Sequence, residues 1–282
     1  MNFISSILMG ILQGVAEFLP ISSSGHLALF QHFFGMEDLQ QTQMLFTVLL
    51  HFGTLISVFI VYWRDIVDMV REFFLGAAAL VRRDGGSNPP PPARRLVMLI
   101  IIATLPLFVM VFLQNAIESL FANSLLVSCA LIATGFILFF SDRLARGRKT
   151  AKNATVLDAL IVGLGQALAI IPGLSRSGTT ISVGMMRGFE RNFAVRFSFL
   201  LSIPAVLGAT VLELKDALST EIDMSLLPVY LVGVAVSAVV GYFAIRLVNS
   251  LADKGKFGKF AYYCWAVGLG SFIAEIALNA IG

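Results

Sequence analysis

Charge is scarce in this sequence. Asp, Glu, Lys and Arg make up only 13% of its 282 residues, against about 25% in an average soluble domain. The hydrophobic share is 57%, and the apolar residues form runs of about 20, each long enough to cross roughly 30 Å of hydrocarbon as a helix. These runs recur along the whole length and leave no stretch for a separate soluble domain. The composition therefore predicts a membrane protein.

Cysteine is nearly absent, and the signals of a cleaved leader are missing. Cys129 and Cys264 lie singly inside apolar runs without CxxC spacing, so the sequence predicts neither a disulfide framework nor a cysteine metal cluster. The first stretch, 1–19, has no basic n-region and no Ala-x-Ala cleavage site, and it carries Gln13 and Glu17. We therefore expect it to remain in the mature fold.

Six apolar runs are predicted to be full transmembrane spans. They cover about 44–63, 95–113, 121–141, 192–212, 226–247 and 260–280. The segments 1–35 and 156–187 are also apolar, but Pro, Gly and Ser interrupt them at Leu19 to His26 and at Ile171 to Gly178. Each then has two arms too short to span, which is the signature of a re-entrant helix pair.

Lys and Arg are enriched in cytoplasmic loops, so their distribution predicts orientation. They cluster in three loops, at Arg64, Arg71, Arg82, Arg83, Arg94 and Arg95, at Arg143, Arg146, Arg148, Lys149 and Lys152, and at Lys254, Lys256 and Lys259. Loop 114–120 has no basic residue, and loop 213–225 has only Lys215. We expect the basic loops inside and the other two outside, with both termini external. Gly85 to Pro92, which ends in four prolines, is predicted to be a non-helical cytoplasmic linker.

The same topology divides the chain into two related halves, 1–142 and 155–282, joined by a basic cytoplasmic loop. Each half has one hairpin and three spans, and an odd number of spans orients the halves oppositely. Gln13 to His26 aligns without a gap with Gln166 to Thr179. The matches are Gln13 with Gln166, Ala16 with Ala169, Ser22 with Ser175, Ser24 with Ser177 and Gly25 with Gly178. The predicted fold is an all-α membrane protein with an inverted-topology repeat.

Ionisable side chains at membrane depth need partners, and three occur in the hairpins: Glu17, His26 and Arg176. Irregular backbone at that depth must be buried or line a cavity, so we expect the hairpin tips to face each other. Each tip starts a half-helix among serines, and a helix N-terminus favours an anion. With the bidentate fork of an arginine, the two tips would form a phosphate cradle. A lipid-linked phosphate is the expected ligand.

Three residues of the first hairpin also point to chemistry. Ser23 and His26 are three apart and share a helix face, and a hydroxyl beside an imidazole is the minimal activated nucleophile. Glu17 could orient the histidine, accept a proton or bind a divalent cation that bridges the phosphates. The spacing does not choose among these roles.

Other interpretations of the same residues remain open. Serines and glycines at Ser22, Ser24, Ser177 and Gly178 also serve close helix packing. Glu17 and Arg176 could form a structural ion pair. His32 and His51 are interpreted as structural histidines. At the level of function, broken helices that meet in mid-membrane also occur in secondary transporters, whereas an ion channel is disfavoured because only one half carries the arginine.

The hairpin motifs resemble a known family. Gln13-Gly14-Val15-Ala16-Glu17-Phe18-Leu19-Pro20-Ile21-Ser22-Ser23-Ser24-Gly25-His26 and Pro172-Gly173-Leu174-Ser175-Arg176-Ser177-Gly178-Thr179-Thr180 are similar to the two signature segments of the bacterial undecaprenyl-diphosphatases, also called bacitracin-resistance proteins. The resemblance includes Phe52-Gly53-Thr54, Tyr62-Trp63-Arg64 and Phe197-Ser198-Phe199-Leu200 and covers nearly the whole chain.

That resemblance implies a multi-pass protein of the bacterial cytoplasmic membrane. It would remove the terminal phosphate of undecaprenyl pyrophosphate, recycle the lipid carrier for cell-wall synthesis and depend on Mg²⁺ or Ca²⁺. Its partners would be the lipid pyrophosphate and the membrane, with no nucleic acid, and a homodimer stays open. Flipping of the monophosphate product is the alternative, or additional, function.

Site roles follow from the resemblance and from the arguments above. The predicted catalytic residues are Glu17, Ser23, His26 and Arg176, and the predicted phosphate-binding residues are Gln13, Ser22, Ser24, Gly25, Ser175, Ser177 and Thr180. The family's acidic motif has Glu or Gln first and Glu last, so Gln13 and Glu17 form its single-carboxylate version, with Glu17 as the predicted metal ligand. Ser23 is favoured as the nucleophile, with His26 as acid and base, while attack by His26 or water stays open.

Overall fold

A computed structural model describes residues 2–34, 44–82, 90–121, 123–217 and 224–281. Within these ranges the chain is α-helical and forms no β-strand. The helices are α1 Phe3–Phe18, α2 Ser23–Phe34, α3 Met44–Val61, α4 Trp63–Arg82, α5 Pro92–Val111, α6 Gln114–Phe121, α7 Ser124–Leu144, α8 Val156–Leu168, α9 Arg176–Met186, α10 Arg191–Ala217, α11 Leu227–Asp253 and α12 Phe260–Ile281. The prediction of an all-α membrane protein is confirmed.

Five of the predicted spans are single helices in the described part of the chain that are long and apolar enough to cross a membrane. They are α5, α7, the first 21 residues of α10, α11 and a segment that contains most of α12. The predicted first span is α3, and it is followed by a bend of 87° into α4. Counted together, α3 and α4 give a sixth candidate span.

Helix α4 corrects the sequence prediction, which treated the segment between the first two spans as a basic loop. Its outward face carries a stripe of exposed apolar side chains at helical spacing: Trp63, Val67, Val70 and Phe74. Its other face is tied to the protein, because Glu72 accepts a hydrogen bond from Arg94 Nε at 3.1 Å. The segment between the first two predicted spans is therefore helical over Trp63–Arg82.

The proline linker is also partly corrected. Pro92 opens α5 as its first residue, where a proline costs nothing because the first N–H of a helix has no partner within it. Residues 85–89 of the predicted linker lie outside the described residues.

Both hairpins have the predicted short arms. α1 has 16 residues and α2 has 12, while α8 has 13 and α9 has 11, and each is shorter than the roughly 20 residues of a full span. The turn of the first hairpin passes through Ser22 with a φ of 66°, and the turn of the second passes through Gly173 with a φ of 96°. A positive φ is uncommon for a serine, so the surrounding contacts must hold this turn in place.

Each hairpin packs on a span of the other half. α1 lies against α11 and α8 lies against α5, while α3 contacts α11 and α10 contacts α5. Small residues allow the close approach, since a Cβ on Gly14 would lie 2.8 Å from Ser237 O and one on Gly163 would lie 2.3 Å from Ala103 O. If the halves are exchanged, the contact of α1 with α11 becomes that of α8 with α5. The contact of α3 with α11 likewise becomes that of α10 with α5. An internal repeat requires that property, and its inverted orientation stays a prediction.

Candidate active site between the hairpin tips

The two hairpin tips share one local structure. Ser22 precedes α2 and accepts a hydrogen bond at Oγ from Gly25 N, 3.2 Å away. Ser175 precedes α9 and accepts one from Gly178 N at 3.1 Å. A serine at this position satisfies one of the free N–H groups at the start of a helix. The aligned serines of the sequence therefore cap two equivalent half-helices.

The tips touch each other. A Cβ on Gly25 would lie 2.7 Å from Gly173 Cα, so only glycine fits where the backbones cross. Ser177 Oγ donates to the carbonyl of Leu19 at 3.3 Å. Irregular backbone from both halves is thereby shielded by protein, as the membrane interior requires.

A carboxylate and a guanidinium meet at this crossing. Arg176, the first residue of α9, donates from Nη2 to Glu17 Oε1 at 2.5 Å. Glu17 lies near the end of α1 and is only 8% exposed. Its other oxygen, Oε2, accepts a hydrogen bond from Gln13 Nε2 at 3.1 Å. The buried charge is therefore compensated, which burial of a carboxylate demands.

A cavity of about 60 Å³ opens between the tips. Its lining consists of Ala16, Glu17, Ser22, Ser23, Ser24, Ala169, Leu174, Ser175 and Arg176. Five of these side chains carry a hydroxyl or a positive charge, and the N-termini of α2 and α9 adjoin the space. Such a set of donors is suited to a small anion, since helix N-termini and arginine both bind phosphate oxygens.

Ser23 is the lining serine with the freest side chain. Its hydroxyl has no hydrogen-bond partner among the described residues, whereas Ser22 Oγ and Ser24 Oγ lie 3.4 Å apart and Ser175 Oγ lies 3.3 Å from Ser177 Oγ. The position aligned with Ser23 in the second hairpin is Arg176. Ser23 and Arg176 thus hold equivalent positions in the two tips and line the same cavity.

His26 does not line this cavity. Its Nδ1 lies 2.8 Å from the carbonyl oxygen of Ser22, and its Nε2 lies 2.9 Å from the hydroxyl of Tyr263. A carbonyl oxygen can only accept, so Nδ1 carries the proton and Nε2 accepts from the tyrosine in the neutral ring. The expected hydrogen bond between Ser23 and His26 is therefore not formed, because other groups hold both ring nitrogens.

Three of the predicted phosphate-binding side chains make other contacts. Gln13 donates to Glu17 and lies 3.0 Å from His51 Nδ1. Thr180 Oγ1 donates to the carbonyl of Arg176 at 2.9 Å and lies 2.5 Å from Ser198 Oγ. Ser177 is turned to Leu19, as described above. These three residues support the residues that line the cavity.

Sequence reasoning missed residues that come from distant helices. Thr134 of α7 donates to Gly173 O at 2.9 Å and accepts from Ser175 N at 3.2 Å, so it fixes the second tip. Tyr263 of α12 holds the ring of His26, and His51 of α3 contacts Gln13. A polar residue inside an apolar span was the only sequence signal for any of them.

A larger cavity of about 680 Å³ lies elsewhere, among α4, α5 and α10. Its charged lining includes four acids, Asp65, Asp68, Glu72 and Glu190, and three bases, Arg71, Lys152 and Arg196. Asp65 and Arg196 form an ion pair. The mixture of signs gives this cavity no preference for a phosphate, so the tip cavity is the better candidate site.

The fold and the tip cavity together define a class of protein: a polytopic helical membrane protein with a cavity lined by serines and an arginine between two broken helices. The chain belongs to the bacitracin resistance protein BacA family, whose sequence model matches residues 6–270. The resemblance stated from the motifs alone is therefore confirmed.

Curated relatives agree over nearly the full length. The chain is 38% identical to an undecaprenyl-diphosphatase of Methanosphaera stadtmanae, over 99% of this chain and 100% of the relative. It is 43% identical to an undecaprenyl-diphosphatase of Alkaliphilus metalliredigens, over 95% and 97%. A third relative with the same name, from Methanobrevibacter smithii, is 42% identical over 98% and 99%.

Proposed function

We propose that this chain hydrolyses undecaprenyl pyrophosphate to undecaprenyl phosphate and inorganic phosphate within the membrane. The observation that carries the proposal is the tip cavity, which brings Ser23, Glu17 and Arg176 together between two helix N-termini. Full-length relatives that bear the name of this activity support the choice of substrate. The released monophosphate would return to cell-wall synthesis as the lipid carrier.

The terminal phosphate of the pyrophosphate is bound at the tips. Arg176 and the free N–H groups of α2 and α9 carry the positive charge that its oxygens need, and the lining serines donate further hydrogen bonds. A cavity of about 60 Å³ has room for one phosphate group but none for an isoprenoid tail.

The tail lies on an apolar surface. A groove of about 640 Å³ runs along α3, lined by Phe52, Leu55, Ile56, Phe59, Ile60 and Trp63. It begins one residue after His51, which contacts Gln13 beside the cavity. A chain of isoprene units leaving the cavity would find almost no polar surface there, as a hydrocarbon requires.

Ser23 is the proposed nucleophile. Its Oγ attacks the terminal phosphorus, the bond to the bridging oxygen breaks, and undecaprenyl phosphate leaves. Water then cleaves the phosphoserine to give inorganic phosphate and the free serine. His26 takes the serine proton at Nε2, the nitrogen left basic by the Nδ1–H tautomer, after its ring leaves Tyr263. Attack by His26 or directly by water are the alternatives.

A divalent cation belongs to the proposal. Among the described residues, no cluster of three or more His, Cys, Asp or Glu side chains could hold a metal ion, and Glu17 is the one carboxylate that lines the cavity. Mg²⁺ commonly binds through one or two carboxylates and the oxygens of a substrate phosphate. The residues fit a cation on those terms: Glu17 would hold it together with the substrate, and it would supply charge neutralisation.

Location and orientation complete the proposal. The chain would lie in the cytoplasmic membrane with both termini external, as the basic loops favour. Light scattering of the purified protein in detergent tests for the homodimer that the resemblance leaves open.

Phosphate release from undecaprenyl pyrophosphate by purified protein in lipid vesicles tests the function. We expect release by the unaltered chain and loss in Ser23→Ala and Arg176→Ala. The helix contacts that recur when the two halves are exchanged favour transport as a second function. Many secondary transporters are built from repeats with broken helices. Movement of the lipid across the vesicle membrane without phosphate release would support transport alone and contradict the phosphatase.

A further inference from the structure

His51 approaches the candidate site from α3, a helix that supplies none of the predicted site residues. Its Nδ1 lies 3.0 Å from Gln13 Nε2 and 3.7 Å from Glu17 Oε2. The imidazole is 30% exposed, so it is neither fully buried nor free. Among the described residues, Gln13 and Glu17 are its side-chain partners in hydrogen bonds and ion pairs.

The direction of these hydrogen bonds follows from the donors present. An amide nitrogen only donates, so Gln13 Nε2 gives one proton to Glu17 and the other to His51 Nδ1. The reverse orientation of the amide would place its oxygen against the Glu17 carboxylate, where two acceptors repel. His51 Nδ1 is therefore an acceptor, and the neutral ring carries its proton on Nε2.

The contacts form a continuous chain across three helices. His51 of α3 holds Gln13 of α1, Gln13 holds Oε2 of Glu17, and Arg176 of α9 holds Oε1 of Glu17. With a donor on each oxygen, the carboxylate has one orientation relative to the cavity. Without an acceptor at position 51, the amide of Gln13 could turn away and leave Oε2 without its donor.

We propose that His51 is a positioning residue, which orients the Glu17 carboxylate through Gln13. The inference rests on the proposed function, because the carboxylate it orients faces the cavity for the pyrophosphate. The hydrogen-bond partners of groups that contact a metal or substrate typically affect activity by about 10- to 100-fold. Loss of the His51 acceptor should fall in that range and act on kcat more than on KM.

Two substitutions separate this role from packing. His51→Asn places an amide oxygen close to the position of Nδ1 and keeps the acceptor, whereas His51→Leu keeps apolar bulk and removes it. We expect kcat for lipid pyrophosphate to fall by about 10- to 100-fold in His51→Leu, and His51→Asn to recover most of it. His32→Leu is the matched control, because His32 pairs with Glu275 and neither residue lines the cavity, and it should leave kcat unchanged.

A double-mutant cycle with Gln13→Ala tests whether His51 acts through Gln13. The double variant should be no slower than Gln13→Ala alone. Equal kcat in His51→Leu and wild type, no recovery in His51→Asn, or additive effects in the cycle would each overturn the proposal.

The unfolding temperatures of the same variants, measured in detergent without substrate, test the His51 to Gln13 link independently of activity. This test holds even if the chain releases no phosphate. Non-additive shifts of the unfolding temperature are expected from the hydrogen bond alone. Additive shifts would refute the His51 to Gln13 link, whereas absence of phosphate release from the unaltered chain would refute the function.

Discussion

Arg176 and Glu17 are 159 residues apart and lie in different halves of the chain, yet Nη2 of the arginine is 2.5 Å from Oε1 of the glutamate. Their side chains are 24% and 7% exposed. Each needs the other, because an unpaired charge in this environment is costly. The pair therefore joins the two hairpin tips, and it also places a guanidinium beside the cavity.

Variants of this pair can separate its effect on the unfolding temperature from its effect on phosphate release. Arg176→Ala should lower the unfolding temperature, since it leaves Glu17 as an unpaired buried charge. The double variant with Glu17→Gln should regain stability, because no charge is then unpaired. Phosphate release should stay at least about 100-fold below wild type in both variants, as after removal of one donor to a reacting oxyanion. Recovery of activity in the double variant would mean that the pair is structural only.

Ser23 should form a covalent intermediate. Stopping the reaction with acid after mixing with lipid pyrophosphate labelled in its terminal phosphate should leave label on a peptide that contains Ser23. Ser23→Ala should lose the label and at least about 1,000-fold in kcat, the scale seen when a nucleophile is removed. Ser271→Ala, a serine of α12 that bonds Ser128, is the control and should behave as wild type. Substantial turnover in Ser23→Ala would instead favour attack by water or His26.

The sequence predicted those parts of the molecule that depend on local pattern. Apolar runs of helix length predicted five of the spans, and their interruption by Pro, Gly and Ser predicted the short arms of both hairpins. The aligned serines gave the caps of α2 and α9. The meeting of Glu17 and Arg176 could also be inferred, because a charge at membrane depth must find the opposite charge.

Tertiary contacts explain what the sequence did not predict. Thr134, His51 and Tyr263 reach the tips from α7, α3 and α12, and no spacing rule connects them with the motifs. The side-chain direction of His26 depends on Tyr263, so helix periodicity predicted a shared face with Ser23 but not the rotamer. Helix α4 was missed because arginines among its residues dominated the topology argument, while its apolar stripe recurs only every three or four residues.

The hydroxyl of Tyr263 donates to Nε2 of His26, the nitrogen that takes the serine proton in the proposed mechanism, so this hydroxyl should slow the reaction slightly. Tyr263→Phe keeps a ring beside the imidazole, with which Tyr263 is stacked at a centroid distance of 5.5 Å, and removes the donor to Nε2. A hydrogen bond contributes about 0.5–1.5 kcal/mol net, so kcat should rise by about 2- to 10-fold. Tyr262→Phe, at an exposed neighbouring position, should not change kcat. A fall in Tyr263→Phe would mean that the tyrosine belongs to the working arrangement of His26.

The proposed topology has a direct test that needs no activity. In a Cys129→Ala background, Asn88→Cys should react with a membrane-impermeant thiol reagent from the cytoplasmic side, and Thr220→Cys should react from the outside. Cys264 is buried and should remain unlabelled in both. Labelling of both cysteines from the same side would remove the argument that the halves are oppositely oriented.

The cation should bind only with the substrate. Both oxygens of Glu17 already accept hydrogen bonds, and Gln13 beside it is an amide and not a second carboxylate, so the substrate phosphates must supply the remaining ligands. Equilibrium dialysis with Mn²⁺ should detect no stoichiometric binding to the protein alone and about one ion per chain with a non-hydrolysable lipid pyrophosphonate. Chelator should abolish phosphate release, and Glu17→Gln should weaken Mn²⁺ binding in the ternary complex by about 10-fold or more. Tight Mn²⁺ binding in the absence of the lipid would show that the chain has a complete metal site of its own and would contradict this prediction.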